Sequence, residues 1–223
     1  MYYILFIGYI VFAIRTLSVS SCTPPSFDNI SVQANFSLNQ FLGIWFEVEW
    51  LPEAPHNASD IWRNLYQSFE LGNSSTQIII SGQARVGDNT TCFDTGSWLV
   101  YSNNSAKMIL QTQDINSPTF VNWPYYVLST DYNNFALIYG CGTTNYTYTD
   151  PCSNPFLWLY SRTTTLSSVY STLLDNYIEN ELCMDLSSLE ITPQDGINCY
   201  SCSINHHPGL ILYVFLFFSY IYI

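Results

Sequence analysis

The segment NFSLNQFLGIWFE, from Asn35 to Glu47, carries the pattern that decides the fold of this 223-residue chain. It contains a Gly-x-Trp motif at the start of a run of β-forming residues. Two later fragments follow it in order: a Thr-Asp-Tyr tripeptide at 130–132, and Arg162 at the end of FLWLYSR. A single Gly-x-Trp occurs by chance in a Trp-rich chain, whereas three motifs in a fixed order are specific.

These ordered motifs resemble the three signatures of the lipocalin family, and the closest likeness is to its apolipoprotein D group. The resemblance covers the chain from about Cys22 to Cys199 and rests on the motif residues Gly43, Trp45, Thr130, Asp131, Tyr132 and Arg162. It implies an all-β fold, an eight-stranded antiparallel up-and-down β-barrel that forms a calyx, with one C-terminal α-helix packed outside.

The resemblance also implies a role for the first and third motifs. The family stacks the Trp of the barrel floor on the guanidinium of the Arg, a cation–π contact worth about 1–2 kcal/mol when it is desolvated. In this chain the pair is Trp45 and Arg162, and Gly43 lets the backbone pass close beneath them. Without the other motifs, Trp45 reads as ordinary core and Arg162 as a solvated strand end.

The middle of the chain reads as short β-rich runs separated by turn residues. The predicted strands are Phe41–Trp50, Leu65–Leu71, Gln77–Arg85, Cys92–Tyr101, Ala106–Gln111, Tyr125–Thr130, Phe135–Cys141 and Phe156–Arg162. A helix is predicted over Ser167 to Glu181, and a short ninth strand over Leu186 to Thr192. The apolar helix face, expected to pack on the outside of the barrel, consists of Val169, Leu173, Leu174, Tyr177 and Ile178.

Composition sets the class of protein. An aromatic fraction of 17% and a charged fraction of 10% suit a β protein better than a helical one. A formal charge of −12 argues against nucleic acid and against anionic lipid as partners, because both are negative themselves. We therefore expect no nucleic-acid partner and one domain, since roughly 180 residues between the processed ends supply a single core.

Both ends of the chain have the pattern of processing signals. Residues 1–20 are expected to be a secretory signal peptide, residues 21–200 the lipocalin domain, and residues 202–223 a cleaved signal for a glycosylphosphatidylinositol (GPI) anchor attached at Ser201. A spanning helix is the alternative for the tail, although the tail is short and lacks basic residues beyond it. A buried strand is another alternative. The expected location is extracellular, on the outer face of the plasma membrane, or secreted if no anchor is present.

Secretion also predicts glycosylation of the surface. The chain contains seven Asn-x-Ser/Thr sequons without proline, at Asn29, Asn35, Asn57, Asn73, Asn89, Asn103 and Asn145. They are spread along the chain, so most of its loops are expected to face an extracellular solvent.

Seven cysteines leave one over, and six remain if Cys202 departs with the C-terminal signal. The resemblance implies that Cys22 pairs with Cys141, and that Cys199 is tied to the barrel. The position of Cys92 resembles that of the cysteine which other lipocalins join to their C-terminus, so a Cys92–Cys199 bond is expected, leaving Cys152 with Cys183. Six cysteines allow fifteen pairings. A metal site is the competing interpretation, but an oxidising compartment favours disulfides.

The sequence offers no constellation for catalysis and no cofactor motif. Of the three histidines, His56 lies in a Pro-flanked loop, and the other two fall in the predicted C-terminal signal. Glu47 and Glu49 share a predicted strand face, which does not place them on either side of a substrate as a glycosidase pair requires. One of them is expected to tune the pocket or to pair with a polar neighbour. We expect that the protein is not an enzyme and that it binds no cofactor and no metal.

The sequence does offer an aromatic interior. Phe156, Trp158 and Tyr160 alternate along the eighth strand, and Phe135, Leu137 and Tyr139 along the seventh. If these faces point inward, the cavity suits flat or extended apolar molecules. The candidate ligand-binding residues are Trp158, Phe69, Tyr126, Tyr160 and Phe156. The alternative is that these rings form solid core or contact the helix.

Three functions fit these observations to different degrees. The leading hypothesis is a membrane-anchored extracellular lipocalin that carries a small hydrophobic ligand: a fatty acid, a steroid, a retinoid or a tetrapyrrole pigment. The second is a cell-surface adhesion or guidance protein that uses the barrel as a scaffold for loops and binds a surface protein partner. The third, an enzyme, lacks any reactive constellation.

Overall fold

The computed structural model describes residues 22–52, 56–57, 59–103, 105–113, 120–142, 149–196 and 199–200. The predicted signal peptide, the sequon at Asn145, the attachment site Ser201 and the C-terminal signal at 202–223 lie outside these residues. Within the described part of the chain, nine strands form one antiparallel sheet that closes on itself. The predicted eight-stranded barrel is therefore confirmed.

The elements follow one another in the order expected from the sequence. The strands are β1 Gly43–Trp50, β2 Trp62–Leu71, β3 Gln77–Val86, β4 Phe93–Tyr101, β5 Lys107–Gln113, β6 Phe120–Thr130, β7 Phe135–Cys141, β8 Pro155–Ser161 and β9 Glu190–Ile191. The α-helices are α1 Leu38–Phe41 and α2 Ser168–Glu181, and short 3₁₀ helices lie at Phe27–Asn29 and Leu186–Ser188. Each strand from β1 to β8 pairs with the next, and β8 returns to β1.

The seam between β1 and β2 is closed in two different ways. Near the floor, β1 pairs directly with β2 from Gly43 to Phe46. Towards the open end, the C-terminal segment 190–196 lies between the two strands. In this segment β9 pairs with Glu49 and Trp50 of β1, and the Gln194 side chain donates hydrogen bonds to the Glu47 and Leu65 carbonyls. The last part of the described chain thus completes the barrel wall.

Two apolar clusters lie on opposite faces of the barrel wall. The inner cluster fills the barrel and includes Trp45, Phe69, Tyr125, Ile138 and Tyr160. The outer cluster holds α2 and the N-terminal segment against the wall, and includes Phe27, Tyr126, Leu137, Tyr139, Leu174 and Ile178. Because both faces of β7 are covered, all seven of its residues are buried.

The predicted inner face of β7 and the predicted packed face of α2 are both wrong in detail. Phe135, Leu137 and Tyr139 of β7 belong to the outer cluster and do not face the interior, which receives Ala136 and Ile138. On α2, Val169 and Leu173 are 74% and 51% exposed. The packed face of the helix is instead formed by Tyr170, Leu174, Tyr177 and Ile178.

Three disulfides tie the chain ends and the open end of the barrel. The Cys92–Cys199 bond is confirmed. The expected pairs Cys22–Cys141 and Cys152–Cys183 are wrong, because the structure joins Cys22 to Cys183 and Cys141 to Cys152. Cys183 lies just beyond α2, where the N-terminal segment passes, whereas Cys141 and Cys152 flank one loop between adjacent strands. Cys22 therefore pairs with the cysteine that follows the helix, and Cys141 and Cys152 pair across one loop.

Candidate ligand-binding site

The closed end of the barrel is sealed by Trp45 and Arg162. The guanidinium carbon of Arg162 lies 3.6 Å from the centroid of the Trp45 ring, the contact that the sequence predicts. Trp45 is fully buried and its indole N–H donates to the Phe41 carbonyl at 2.8 Å. Arg162 in turn donates to five backbone carbonyls, those of Gln40, Phe41, Leu42, Ile44 and Tyr132. Burial lowers the pKa of Arg162 to about 10, so it remains charged at neutral pH.

Gly43 is needed at this closed end for two reasons. Its φ is +99°, in a region that L side chains rarely adopt. A Cβ at this position would also lie 3.3 Å from Nη1 of Arg162. The first motif therefore combines a ring that stacks on the guanidinium with a glycine that leaves room for it.

The Thr-Asp-Tyr motif shapes the turn between β6 and β7 and delivers a carbonyl to Arg162. The Thr130 hydroxyl donates to the Phe135 carbonyl at 2.6 Å and accepts from the Tyr132 N–H at 2.9 Å. Burial opposes ionisation of Asp131, but hydrogen bonds from Asn134 and its neighbours outweigh it and lower the pKa. The turn holds Tyr132 at φ +67°, and its carbonyl accepts from Nε of Arg162. All three motifs thus meet at one end of the barrel.

Above the floor, the upper half of the barrel is lined by half-buried aromatic rings. Phe156 stacks on Trp158, with ring centroids 5.6 Å apart, and lies 5.9 Å from Trp123. Trp158 then lies 5.7 Å from Tyr125, deeper in the barrel. Trp98 contributes a further half-buried ring from β4. These rings form a continuous apolar surface from the open end to mid-depth.

The five predicted ligand residues differ in the face of the barrel wall and in the depth at which they lie. Trp158, Phe156 and Tyr160 share the inner face of β8, as the alternation predicts, because Leu157 and Leu159 lie in the outer cluster. Phe69 faces inward too, but it is 1% exposed and packs 5.2 Å from Phe41 in the floor.

The prediction that Tyr126 faces the barrel interior is wrong. Its ring packs against Phe27 on the outside of the barrel, 5.6 Å away, and lies under the Lys107 ammonium. The sequence reasoning missed Trp98, Trp123 and Tyr125. The last two alternate along β6 in the same way as the inward rings of β8, which was the signal that could have identified them.

At mid-depth the interior becomes polar. Glu47 is 3% exposed and accepts a hydrogen bond from the Thr192 hydroxyl at 2.6 Å. Burial raises the pKa of Glu47 to about 8, although the Thr192 bond acts in the opposite direction, so the carboxyl is mainly protonated at neutral pH. The Tyr160 hydroxyl donates to Oε1 of Gln67 at 2.7 Å. Tyr125 completes this group, which we call the mid-depth polar cluster: Glu47, Gln67, Tyr125, Tyr160 and Thr192.

Glu47 and Glu49 do not share a face, contrary to the expectation from their spacing. The β1–β8 register shifts between the two residues, so that Glu47 lies opposite the inward Tyr160 and Glu49 opposite the outward Leu159. Burial raises the pKa of Glu49, and Asp175 of α2 adds to the effect from outside the barrel. A β-bulge is the physical reason, since one extra residue reverses the alternation.

The closed barrel, its Trp–Arg floor and the helix outside it are the features of the lipocalin fold. Comparison with known proteins agrees, since the chain is similar to apolipoprotein D. Apolipoprotein D of Mus musculus is 29% identical over 168 residues, which cover 75% of this chain and 81% of that protein. The Rattus norvegicus protein is 26% identical over the same shares. No protein-family model matches the chain.

Solved structures show the same fold. Apocrustacyanin C1 superposes with a TM-score of 0.55 and 18% identity, covering 73% of this chain and 82% of that one. Lobster apocrustacyanin A1 gives 0.54 and 18%, covering 72% and 81%. At this identity the likeness concerns the fold alone.

Proposed function

We propose that this protein is an extracellular lipocalin that binds a small hydrophobic ligand in the upper half of its barrel. The observation that carries the proposal is the surface formed by Trp123, Phe156, Trp158 and Trp98 above a sealed floor. Half-buried rings facing the inside of a barrel expose apolar area that a ligand can cover, at about 25 cal/mol per Å² before ordering costs. The lipocalin fold and the similarity to apolipoprotein D support the same function.

The proposed extracellular location is supported by the disulfides and by the exposed glycosylation sequons. Three disulfides are typical of chains that fold in an oxidising compartment. Six sequon asparagines lie in the described part of the chain, and all are exposed: Asn29, Asn35, Asn57, Asn73, Asn89 and Asn103. Glycosylation at these positions is therefore sterically open and remains a proposal, as does glycosylation at Asn145.

The binding experiment uses the delipidated, disulfide-intact protein. Its tryptophan fluorescence is followed while a fatty acid, a steroid, a retinoid and a tetrapyrrole are titrated separately. Because Trp123 and Trp158 line the proposed site, at least one class is expected to quench the emission saturably. Absence of a saturable response to all four classes would count against the proposal.

A matched pair of variants tests where the ligand lies. Phe156→Leu shortens a ring on the inner face of β8, whereas Phe135→Leu makes the same change on the outer face of β7, where Phe135 packs 5.1 Å from Tyr170. We expect the first to weaken binding about three- to tenfold, from the loss of one aromatic contact. The second is expected to lower stability without changing affinity. Equal effects on affinity would move the ligand out of the upper barrel.

We also propose that the chain is held at the plasma membrane by a GPI anchor at Ser201, on the strength of the sequence pattern. In the described part of the chain no helix is both long and apolar enough to cross a membrane. Cys199, two residues before the proposed attachment site in the sequence, is bonded to Cys92 beside the open end of the barrel. Release from cells by a phosphatidylinositol-specific phospholipase tests the anchor.

The second candidate, a surface protein in adhesion or guidance, is favoured by the same anchor pattern and is distinguished by one comparison. Trp158→Ala removes a ring of the proposed pocket without changing the outer loops. Undiminished binding of this variant to cells, together with lost ligand binding, would favour the adhesion role. Parallel loss of both would favour the carrier.

A further inference from the structure

Tyr125 carries a buried polar atom with no function in the fold. The residue is 1% exposed, and its hydroxyl has no partner at normal hydrogen-bond geometry within the described part of the chain. The nearest hydroxyl is that of Tyr160, which affects the pKa of Tyr125 as a weak hydrogen-bonding neighbour but donates its own proton to Gln67. Leaving such a group unpaired costs about 1–3 kcal/mol relative to a paired one. A phenylalanine would fill the same space without that cost, so the hydroxyl calls for another explanation.

The position of Tyr125 suggests what that explanation is. Its ring lies 5.7 Å from Trp158, at the deep end of the aromatic surface. Its neighbours in the mid-depth polar cluster are already paired, Glu47 with Thr192 and Tyr160 with Gln67. A molecule lying along the aromatic rings would therefore meet an unsatisfied hydroxyl at its buried end, that of Tyr125.

The electrostatics of the cluster restrict the chemistry of that buried end. The pKa values of Glu47, Tyr125 and Tyr160 are shifted by burial, by the three groups' effects on one another and by the Thr192 hydrogen bond. No cation contributes to any of these shifts. A ligand carboxylate would lose its hydration there without gaining a positive partner. An uncharged carbonyl would only exchange a hydrogen bond to water for one to a tyrosine.

We infer that Tyr125 is the polar contact of the ligand site, and that its hydroxyl donates a hydrogen bond to an uncharged carbonyl at the buried end of a flat apolar ligand. Trp158 and Phe156 would cover the apolar body of the same molecule. This inference rests on the proposed function, since it names the class of ligand that the same pocket selects: ketones, aldehydes or esters in preference to hydrocarbons and carboxylates.

Three probes of one shape test the inference by calorimetric titration of the disulfide-intact protein at neutral pH. They are 2-acetylnaphthalene, 2-ethylnaphthalene and 2-naphthoate, which carry a ketone, an alkyl group and a carboxylate on the same ring. We expect the ketone to bind about tenfold more tightly than the ethyl compound, the difference that one net hydrogen bond makes. The carboxylate should bind most weakly.

The variants assign the donor. Tyr125→Phe should abolish the preference for the ketone and leave the affinity for 2-ethylnaphthalene unchanged, because it deletes an unpaired hydroxyl and no packing. Tyr139→Phe makes the same change on the outer face and should leave the preference intact. If Glu47→Gln removes the preference while Tyr125→Phe does not, Tyr125 is not the donor and the inference is overturned.

The ethyl probe separates this inference from the proposed function. This probe needs only the apolar pocket. If it does not bind, and none of the four ligand classes gives a response, both the proposed function and the inference are contradicted. Binding of the ethyl probe with equal affinity for the ketone overturns the inference and leaves the proposed function standing.

Discussion

Glu47 is the residue whose replacement gives the most informative change in stability. It is a carboxyl inside the barrel, 3% exposed, hydrogen-bonded to Thr192 of the C-terminal segment. Glu47→Gln preserves the size of the side chain and an acceptor for the Thr192 hydroxyl, and removes only the titration. The variant therefore isolates the free energy of keeping this carboxyl protonated in the folded state.

The sign and size of the effect follow from the pKa of Glu47, which burial raises from 4.5 to about 8. Below pH 4.5 the group is protonated in both states, so it adds no pH dependence. Between pH 4.5 and about 8 only the unfolded chain loses the proton, and the free energy of unfolding falls as pH rises. At about 1.4 kcal/mol per pH unit over a difference of about 3.5, the loss reaches up to about 5 kcal/mol.

The assay is urea unfolding of the native protein and of Glu47→Gln at several pH values between 4.5 and 9, with disulfides intact. The native protein is expected to be most stable at the acidic end of this window. Both proteins contain the carboxyls of opposite behaviour, such as Asp131, whose pKa is lowered. The contribution of these groups therefore cancels when the free energies of unfolding of the two proteins are subtracted at each pH. Profiles that run parallel across this range would refute the argument that a protonated Glu47 is built into the barrel.

Further predictions concern the floor and the disulfides. Arg162→Lys loses the planar stack on Trp45 and several of the five carbonyl contacts, so the free energy of unfolding should fall by about 2–4 kcal/mol, measured by urea denaturation. Replacing Cys141 and Cys152 by alanine opens a bond with a sequence separation of 11 and should cost about 3 kcal/mol. The same replacement of Cys92 and Cys199, with a separation of 107, should cost about 5 kcal/mol in the same assay. Equal losses would show that chain entropy does not govern these bonds.

Much of the fold was predictable because its determinants are local or ordered along the chain. Gly43, Trp45 and Arg162 identify both ends of the strand order, and the positive φ of Gly43 explains why that residue precedes the Trp. Strand boundaries were less accurate. The sequence places the first strand at Phe41, but the chain first makes a short helix that brings the Phe41 ring into the floor.

The facing of individual side chains was harder to predict, for a physical reason. Tyr125 and Tyr126 are adjacent aromatic residues, and both are buried, one by the barrel interior and the other by Phe27 outside. Hydrophobicity distinguishes an inner from an outer face only where the outer face meets water. The β-bulge after Glu47 has the same effect, since nothing in the local sequence reveals that the alternation reverses there.

The C-terminal segment has a consequence for how the protein is made. Residues 190–196 lie between β1 and β2, contact Glu47 through Thr192, and are followed by Cys199, the partner of Cys92. During synthesis the chain emerges from its N-terminus, so β1 to β8 are available long before this segment. The part of the first seam nearest the open end must therefore wait open, with Glu47 reachable by water, until residues 190–196 have been translated and have docked.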